Sequence, residues 1–327
     1  MTSEEVLITN VTLADVQMAA ERIRALARNT PLLASHLFNE LAGVDTWFKC
    51  ENLQTGGAFK IRGALNFLMA LSAEDRKRGV VTFSSGNHAQ AVAMAAAHLG
   101  VTATIVMPTD APKSKVESTR RFPATIVFFD RLKENREAIA ARIAEESGAT
   151  VIPSYDHPLI VAGQGIVALE ILSENPNLES IVVPVGGGGL LSGTLIVAKT
   201  LRPGIRVFGA EPRQANDWAL SLKAGQRTAI APPDTIADGL RTNIPGAVTF
   251  PIVKSMVEDI LLVSEDEIKA AVRFLLTRMK LLTEPSGAVG AAAVMQHLLP
   301  GGIRSTAVIL SGGNVDLDVL ADICVAN

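Results

Sequence analysis

Short apolar runs alternate with longer stretches of helical periodicity along most of this 327-residue chain. The apolar runs are rich in valine and isoleucine and end at glycine, proline or polar residues, as buried strands do. Continuous apolar strands that alternate with helices are typical of a mainly parallel sheet covered by helices on both faces. The predicted strands are residues 80–83, 104–107, 125–129, 151–152, 181–185, 207–210 and 307–310, and predicted helices include residues 87–99, 132–147 and 190–200.

The length and composition favour two lobes. The chain is 48% hydrophobic and 19% charged, which is sufficient for a large core. We expect residues 53–155 to form a small lobe, with residues 1–52 and 156–327 forming a large lobe. The boundary is placed near Tyr155, because Pro153 and Pro158 interrupt the chain after the strand predicted at residues 151–152.

The charge balance excludes several classes of partner. The net charge is -3 and the isoelectric point is about 6.0, which does not favour nucleic acid or an anionic membrane surface. No apolar run is long enough to span a bilayer, and the acidic N-terminus lacks the pattern of a secretory signal. Cys50 and Cys324 are far apart and imply no disulfide framework. We therefore expect a cytoplasmic protein that binds neither nucleic acid nor membrane. Cys50 lies in a further strand-like run, residues 47–51, and is expected to be a core thiol.

Four consecutive glycines, residues 186–189, are the strongest local signal. They directly follow the strand predicted at residues 181–185 and directly precede the helix predicted at residues 190–200. Consecutive glycines allow backbone N–H groups to turn toward an anion, and the helix N-terminus adds partial positive charge. The segment therefore predicts a phosphate site, and the alternative is a tight turn without a ligand.

A dinucleotide site is a second interpretation of the same segment. Gly187-x-Gly189-x-x-Ser192 resembles the nicotinamide fingerprint with serine in place of the last glycine, and Glu211 ends the next predicted strand. This nicotinamide oxidoreductase hypothesis leaves Lys60 and the turn at residues 84–88 without a role.

Lys60 lies among small and apolar residues in the segment GGAFKIRGA, residues 56–64. A lysine can hold an aldehyde cofactor as a Schiff base once its amine has lost a proton, and an apolar pocket favours the neutral amine. Two turns that carry serine and asparagine, SSGNH at residues 84–88 and SGGN at residues 311–314, lie elsewhere in the chain. Together with the glycine run, these features favour pyridoxal phosphate chemistry.

The same motifs resemble the serine/threonine dehydratase and serine racemase family, which are pyridoxal phosphate enzymes of the tryptophan-synthase β-like fold (fold type II). The resemblance covers the chain from about residue 11 onward. It implies an α/β fold with two lobes, each with a mainly parallel sheet flanked by helices. It also implies pyridoxal 5'-phosphate in the large lobe, a small-molecule amino acid substrate and a homodimer. The motifs that carry it are AFKIRGA at residues 58–64, SSGNHAQ at 84–90, AGQG at 162–165, the glycine run, and SGGNVD at 311–316.

The resemblance also implies a role for each site residue. Lys60 would carry the cofactor and later move the substrate Cα proton. Phe59 would pack beside the pyridine ring, Asn87 would bond the ring oxygen, and Ser311 would meet the pyridine nitrogen. The phosphate would be bound by Gly186, Gly187, Gly188, Gly189 and Leu190, and the substrate carboxylate by the turn that holds Ser84, Ser85, Asn87 and His88.

The expected reaction is β-elimination from a β-hydroxy amino acid, which gives a 2-oxo acid and ammonia. The neutral hydroxyl of Ser311 would not keep the pyridine nitrogen protonated, which favours prompt loss of the leaving group. Threonine and serine are the expected substrates. Arg136 could pair with the β-carboxylate of threo-3-hydroxyaspartate, or it is a surface arginine. Ser85 matches the serine that reprotonates Cα in racemases, so serine racemase is an alternative, as is a non-catalytic ligand-binding relative.

A loop that follows the strand predicted at residues 207–210 suggests a metal site. It combines two carboxylates with backbone carbonyls, and such hard oxygen ligands suit Mg²⁺, Ca²⁺ or Mn²⁺. In the family that the chain resembles, the racemase branch and some dehydratases bind a divalent cation through Glu, the carbonyl of an Ala and Asp. The resemblance implies such a site at Glu211, Ala215 and Asp217, which keep that spacing. The alternative is a solvated acidic loop.

Overall fold

The computed structural model describes residues 11–84, 86–111, 113–130 and 133–325. Within these residues the chain forms two sheets flanked by helices. The strands are β1 (Leu32–Ala34), β2 (Asp45–Cys50), β3 (Val80–Phe83), β4 (Ala103–Pro108), β5 (Ala124–Phe129), β6 (Thr150–Val151), β7 (Ser180–Pro184), β8 (Arg206–Pro212), β9 (Asp259–Val263) and β10 (Ser305–Leu310). The helices are α1 (Leu13–Ile23), α2 (His36–Ala42), α3 (Lys60–Ala70), α4 (Ala73–Arg78), α5 (Asn87–Leu99), α6 (Lys113–Arg120), α7 (Arg136–Ser147), α8 (Pro158–Glu174), α9 (Gly189–Leu201), α10 (Asp217–Ala224), α11 (Thr249–Met256), α12 (Glu265–Phe274), α13 (Pro285–Met295) and α14 (Leu317–Val325).

The larger sheet has six strands in the order β1-β2-β10-β7-β8-β9. Strand β1 pairs antiparallel with β2, and the other neighbouring strands of this sheet are parallel. Strands β7 and β10 are buried along almost their whole length, because helices pack on both faces of the sheet. The carboxyl ends of β2, β10, β7 and β8 therefore meet at one edge, where parallel α/β sheets usually bind their ligands.

The smaller sheet has four parallel strands in the order β5-β4-β3-β6. All of its strands lie between residues 80 and 151, whereas the strands of the larger sheet come from before and after that segment. Its central strand β3 ends at Phe83, so Ser84 and the start of α5 lie at the carboxyl edge of this sheet. The exact lobe boundaries given above stay a prediction.

Each strand predicted from the sequence is present, with ends shifted by at most a few residues. Helix α7, however, begins at Arg136 and not at residue 132. The side chain of Asn135 accepts a hydrogen bond from the backbone N–H of Ala138 at 2.9 Å and so caps the helix one turn later than expected. Residues 131 and 132 lie outside the described residues. Strands β1 and β9 were not predicted.

Helices α3, α8 and α9 pack so closely that their backbones are in contact. A Cβ atom added to Gly163 of α8 would lie 2.7 Å from the Cα of Gly63 in α3, and one added to Gly193 of α9 would lie 2.5 Å from the backbone nitrogen of Gly165. Only glycine permits such an approach, so these residues set the distance of α3 and α9 from α8. In the part of the chain that the structure describes, no helix combines the length and apolar character needed to cross a membrane.

Candidate active site between the two sheets

Lys60 is the first residue of α3 and follows the connection that leaves β2. The backbone N–H of Phe59 donates to the carbonyl of Ser311 at 3.1 Å, and Ala58 forms an antiparallel bridge with Gly312. These contacts attach the lysine segment to the turn after β10. Two motifs that are about 250 residues apart in sequence therefore share one edge of the larger sheet.

The amine of Lys60 lies in an environment that favours its neutral form. Its Nζ donates to the carbonyl of Ser154 at 3.0 Å and lies 5.1 Å from the centroid of the Phe59 ring. Burial lowers the pKa of Lys60 from 10.5 to about 8, while the nearby carboxyl group of Glu284 acts in the opposite direction. The amine can therefore lose its proton near neutral pH, as the capture of an aldehyde requires.

The glycine run connects β7 to α9, and two of its carbonyl groups accept hydrogen bonds from neighbouring side chains. The indole N–H of Trp218 donates to the carbonyl of Gly186, and the hydroxyl of Thr249 donates to the carbonyl of Gly187 at 2.7 Å. In a trans peptide the next N–H points away from the carbonyl, so the N–H groups of Gly187 and Gly188 face the opposite side. These N–H groups and the N-terminus of α9 form a cradle that suits a phosphate.

The cradle requires glycine for steric reasons. A Cβ atom on Gly187 would lie 2.2 Å from the ring of Tyr155, and Gly188 has a φ of +94°. Side chains at these positions would displace Tyr155 or strain the backbone. Leu190, in the first turn of α9, is buried and continues the cradle. Sequence reasoning used Tyr155 only to place a lobe boundary and missed its contact with the cradle.

Asn87 opens α5 and has its amide orientation fixed by two neighbours. Its Nδ2 donates to Glu284 Oε1 at 2.6 Å, and its Oδ1 accepts from the Nδ2 of Asn314 at 2.9 Å. The Ser84 hydroxyl accepts a hydrogen bond from the backbone N–H of Gly86 at 3.3 Å, which shapes the turn before the helix. Ser85 lies outside the described residues.

The imidazole of His88 is buried and uncharged. Its Nε2 lies 3.4 Å from the carbonyl of Ile152, which can only accept, so Nε2 carries the proton. Burial and then the charge of Lys60 lower the pKa of His88 to about 3. The ring therefore carries no positive charge for an anion, and the backbone N–H of His88 lies at the start of α5.

Glu284 is a site residue that sequence reasoning missed. It is 3% exposed, precedes Pro285 at the start of α13, and reaches Asn87. Burial raises its pKa to about 8, and the charge of Asp238 adds to this effect. In the sequence, a glutamate directly before a helix-starting proline is an ordinary feature and carries no catalytic signal.

Ser311 and Arg136 lie at the edges of different sheets. Ser311 directly follows β10 and is 4% exposed, next to the segment that carries Lys60. Arg136 begins α7, and its guanidinium carbon lies 5.4 Å from the centroid of the Phe83 ring. Its Nε also pairs with Glu137 at 2.9 Å, and about half of the side chain is exposed. Because Phe83 directly precedes Ser84, the arginine lies beside the turn that leads into α5.

The three residues of the predicted metal site lie at the junction of β8 and α10. Glu211 is fully buried and accepts hydrogen bonds from the backbone N–H groups of Trp218 at 3.4 Å and Ala219 at 3.0 Å. Asp217 is 1% exposed and accepts a hydrogen bond from the Thr242 hydroxyl at 3.4 Å, and Ala215 is equally buried. The loop is therefore not a solvated acidic turn.

The two carboxyl groups titrate well above their ordinary range. Burial raises the pKa of Glu211 to about 9, with a further contribution from the charge of Asp217, and burial raises the pKa of Asp217 to about 7. Among the described residues no group of three or more His, Cys, Asp and Glu side chains is placed to bind a metal. A cation here would therefore require a backbone carbonyl, such as that of Ala215.

Comparisons of the sequence and of the structure with known proteins indicate the same family. Residues 23–312 match the family described as pyridoxal-phosphate dependent enzyme. The chain is 46% identical over 309 residues to L-threo-3-hydroxyaspartate ammonia-lyase of a Pseudomonas species. This alignment covers 94% of this chain and 97% of that protein. It is 45% identical over 306 residues to serine racemase of Schizosaccharomyces pombe, with coverage of 93% and 94%. The structure of maize serine racemase aligns with a TM-score of 0.92 at 40% identity, over 95% of this chain and 96% of that one.

Proposed function

Because this chain belongs to the pyridoxal-phosphate dependent enzyme family, we propose that it converts a β-hydroxy amino acid to a 2-oxo acid and ammonia by β-elimination. Family membership sets aside the nicotinamide interpretation of the glycine run. The observation that carries the proposal is the Lys60 amine, whose pKa is lowered to about 8 and which lies close to Ser154, Phe59 and the turn after β10.

Residues at the carboxyl edges of the two sheets fit pyridoxal phosphate. The backbone amides of residues 186–190 would bind its phosphate, Phe59 would pack beside its ring, and Ser311 would meet its ring nitrogen. Asn87 would bond its ring oxygen with an amide that Glu284 and Asn314 hold in place. When bound, the cofactor supplies an electron-withdrawing ring that stabilises negative charge at the substrate Cα.

The protein would contribute proton transfer and substrate binding. A Lys60 amine with a pKa of about 8 is partly neutral at physiological pH, so it can accept the Cα proton. The turn at residues 84–88 would bind the substrate carboxylate through backbone N–H groups at the start of α5, where the helix dipole favours negative charge. The uncharged His88 ring leaves this binding to the backbone.

The decisive experiment combines spectroscopy with a substrate panel. The purified protein should show the visible absorption of a lysine-bound cofactor, and borohydride reduction should fix the cofactor on Lys60 in a peptide map. Stereoisomers of serine, threonine and 3-hydroxyaspartate should then be scored for oxo acid and ammonia. A protein that binds the cofactor but turns over none of them would be a ligand-binding relative, and the proposed function would be wrong.

Hydroxyaspartate is the substrate that Arg136 would favour. A guanidinium pairs bidentately with a carboxylate, and the second carboxylate distinguishes this substrate from serine and threonine. The position of Arg136 over Phe83, beside the turn at residues 84–88, supports this assignment. So does the 46% identity to a protein named L-threo-3-hydroxyaspartate ammonia-lyase.

Racemisation of serine is a second candidate activity. The 45% identity to a protein named serine racemase favours it. The family resemblance also assigns Ser85 to the position of the serine that would supply a proton to the opposite face of Cα. Chiral chromatography of the serine remaining in the reaction measures it directly. Accumulation of the opposite enantiomer would establish the activity, and none after extensive elimination would refute it.

A divalent cation at Glu211, Ala215 and Asp217 is also proposed. Two buried carboxyl groups, with pKa values raised to about 9 and about 7, would be costly to ionise without a cation, and the charge of Asp217 adds to the cost at Glu211. Mg²⁺, Ca²⁺ and Mn²⁺ all accept such oxygen ligands. Metal analysis of the protein after dialysis, with and without a chelator, tests for the ion.

We further propose that the protein is a homodimer. Leu53, Leu282 and Leu317 are 42%, 43% and 80% exposed. The first two lie beside each other, since the Asn52 side chain donates to the carbonyl of Leu282 at 3.0 Å. Adjacent exposed apolar groups such as Leu53 and Leu282 are typical of interaction surfaces. Sedimentation at micromolar concentration should give twice the monomer mass, and Leu282→Glu should lower it, whereas a monomeric wild type would refute the proposal.

A further inference from the structure

A buried ionic cluster lies on the side of α3 that faces away from Lys60. Arg62 follows Lys60 by two residues, so its side chain leaves the helix about 200° around the axis. Arg62 is 1% exposed. Its Nε and Nη2 donate to the Glu51 carboxylate, both at 2.8 Å, and its Nη1 and Nη2 donate to the Glu170 carboxylate at 2.7 and 2.8 Å.

The cluster continues to a second buried cation. Lys49 is completely buried, and its Nζ lies 2.8 Å from Glu170 Oε2 and donates to the carbonyl of Thr30 at 2.5 Å. The Thr30 hydroxyl also donates to Glu51 at 2.5 Å. Burial acts to raise the pKa of Glu51, but the charge and hydrogen bonds of Arg62 outweigh it, and the pKa is lowered. Both Glu51 and Arg62 are thus ionised in the interior.

The cluster joins the two ends of the chain segment, residues 51–62, that carries Lys60. Glu51 directly follows β2 and Arg62 lies in the first turn of α3, so their ion pair joins the two ends of a loop that contains Phe59 and Lys60. Glu170 attaches the same point to α8. A guanidinium fork that is bidentate to two carboxylates fixes direction as well as distance.

Stability alone does not account for such a cluster. Replacing buried ion pairs by apolar side chains of similar volume is often neutral or stabilising, whereas a directional ionic arrangement can fix one geometry. We propose that Arg62 is a positioning residue for the reaction. Its contacts with Glu51 and Glu170 fix the first turn of α3, and this turn sets the position from which the Lys60 amine would reach the cofactor and the substrate Cα. This inference rests on the proposed function, since it assigns Lys60 the role given there.

Arg62→Lys is the first test, because lysine keeps the charge but cannot form the double fork. Leu172→Ala in α8 is the control. Leu172 is 6% exposed, and its apolar side chain makes no hydrogen bond or ion pair, so its loss lowers stability while the polar contacts of the cluster stay. We expect kcat of Arg62→Lys to fall about tenfold or more below that of the control while KM changes little, as a small misplacement of a catalytic group predicts. The visible circular dichroism of the bound cofactor should also change in Arg62→Lys and not in Leu172→Ala.

The spectroscopic readout separates this inference from the proposed function. If no amino acid is turned over by the wild type, the proposed function fails, yet the circular dichroism of the bound cofactor still reports the position of Lys60. A spectrum of Arg62→Lys that matches the control, together with equal kcat, would overturn the positioning role. If Arg62→Lys does not fold, Glu51→Gln, which keeps the shape but removes the charge, should show the same spectral change, and an unchanged spectrum would overturn the inference.

Discussion

The Nζ of Lys60 lies 3.0 Å from the carbonyl oxygen of Ser154, a residue 94 positions further along the chain. Lys60 is reached from strand β2 of the larger sheet, whereas Ser154 follows strand β6 of the smaller sheet. The hydrogen bond therefore spans the space between the two sheets. A carbonyl accepts from both the protonated and the neutral amine, so it can hold the lysine in place in either state.

Lys60→Ala should abolish turnover while the protein stays folded. The change removes both the covalent anchor of the cofactor and the base, so we expect a loss of more than about a thousandfold in kcat/KM. Lys77→Ala, an exposed lysine of α4, is the matched control and should keep full activity. Steady-state kinetics and thermal melting measure both. Activity of Lys60→Ala near that of the control would show that another group carries the reaction.

The capture of cofactor by the apoprotein should depend on pH with a midpoint near 8. Only the neutral amine attacks an aldehyde, and the pKa of Lys60 is lowered to about 8 from 10.5. The rate should therefore rise with pH and level off above pH 8. Glu284→Gln removes a carboxyl group that raises the pKa of Lys60, so the midpoint should move to lower pH. A rate that still rises above pH 10 would contradict the lowered pKa.

Removal of the proposed cation with a chelator should lower the melting temperature, and more so at high pH. Protons compete for Glu211 and Asp217, whose raised pKa values of about 9 and about 7 mean that binding strengthens as pH rises from 6 to 9. A ligand at a hundredfold excess over its Kd stabilises the folded state by about 2.7 kcal/mol.

Asp217→Ala should abolish the response of melting and rate to chelator and to added Mg²⁺, Ca²⁺ or Mn²⁺, while the visible absorption of the cofactor remains. Asp322→Ala, an exposed acidic residue of α14, serves as the control and should respond like the wild type. If chelator changes neither quantity in the wild type, the loop binds no cation that matters for stability or rate.

Arg136→Ala should discriminate among substrates. It should raise KM for threo-3-hydroxyaspartate by about tenfold, the effect of one charge-assisted pair, and leave KM for serine nearly unchanged. Arg142→Ala, an exposed arginine of the same helix, is the control. Equal changes for both substrates, or none, would indicate that Arg136 is a surface residue.

Ser85→Ala should suppress racemisation far more than elimination in a protein that performs both. The serine would supply the proton on the face opposite Lys60, which only racemisation requires. Both rates can be measured in one reaction by chiral chromatography and oxo acid assay. An equal loss of the two activities would instead indicate a role in binding the substrate carboxylate.

The sequence by itself determined the local features of this protein. The glycine run is readable because phosphate binding uses consecutive amides and the helix that follows them, and these are adjacent in the chain. The strands are readable because a buried parallel strand leaves a continuous apolar run, and only the short strand β1 and strand β9 escaped detection. Lys60 was recognised by its small and apolar neighbours in the same segment.

The tertiary structure decided which distant groups meet these local features. Glu284 holds Asn87 across 197 positions of sequence, Tyr155 covers Gly187, and Arg62 pairs with Glu170 across 108 positions. None of these pairs has a signature in the sequence, because a contact between remote residues depends on the packing of whole helices and sheets. The burial that shifts the pKa of Lys60, Glu211 and Asp217 has the same origin, since desolvation comes from the surrounding fold and not from neighbours in the chain.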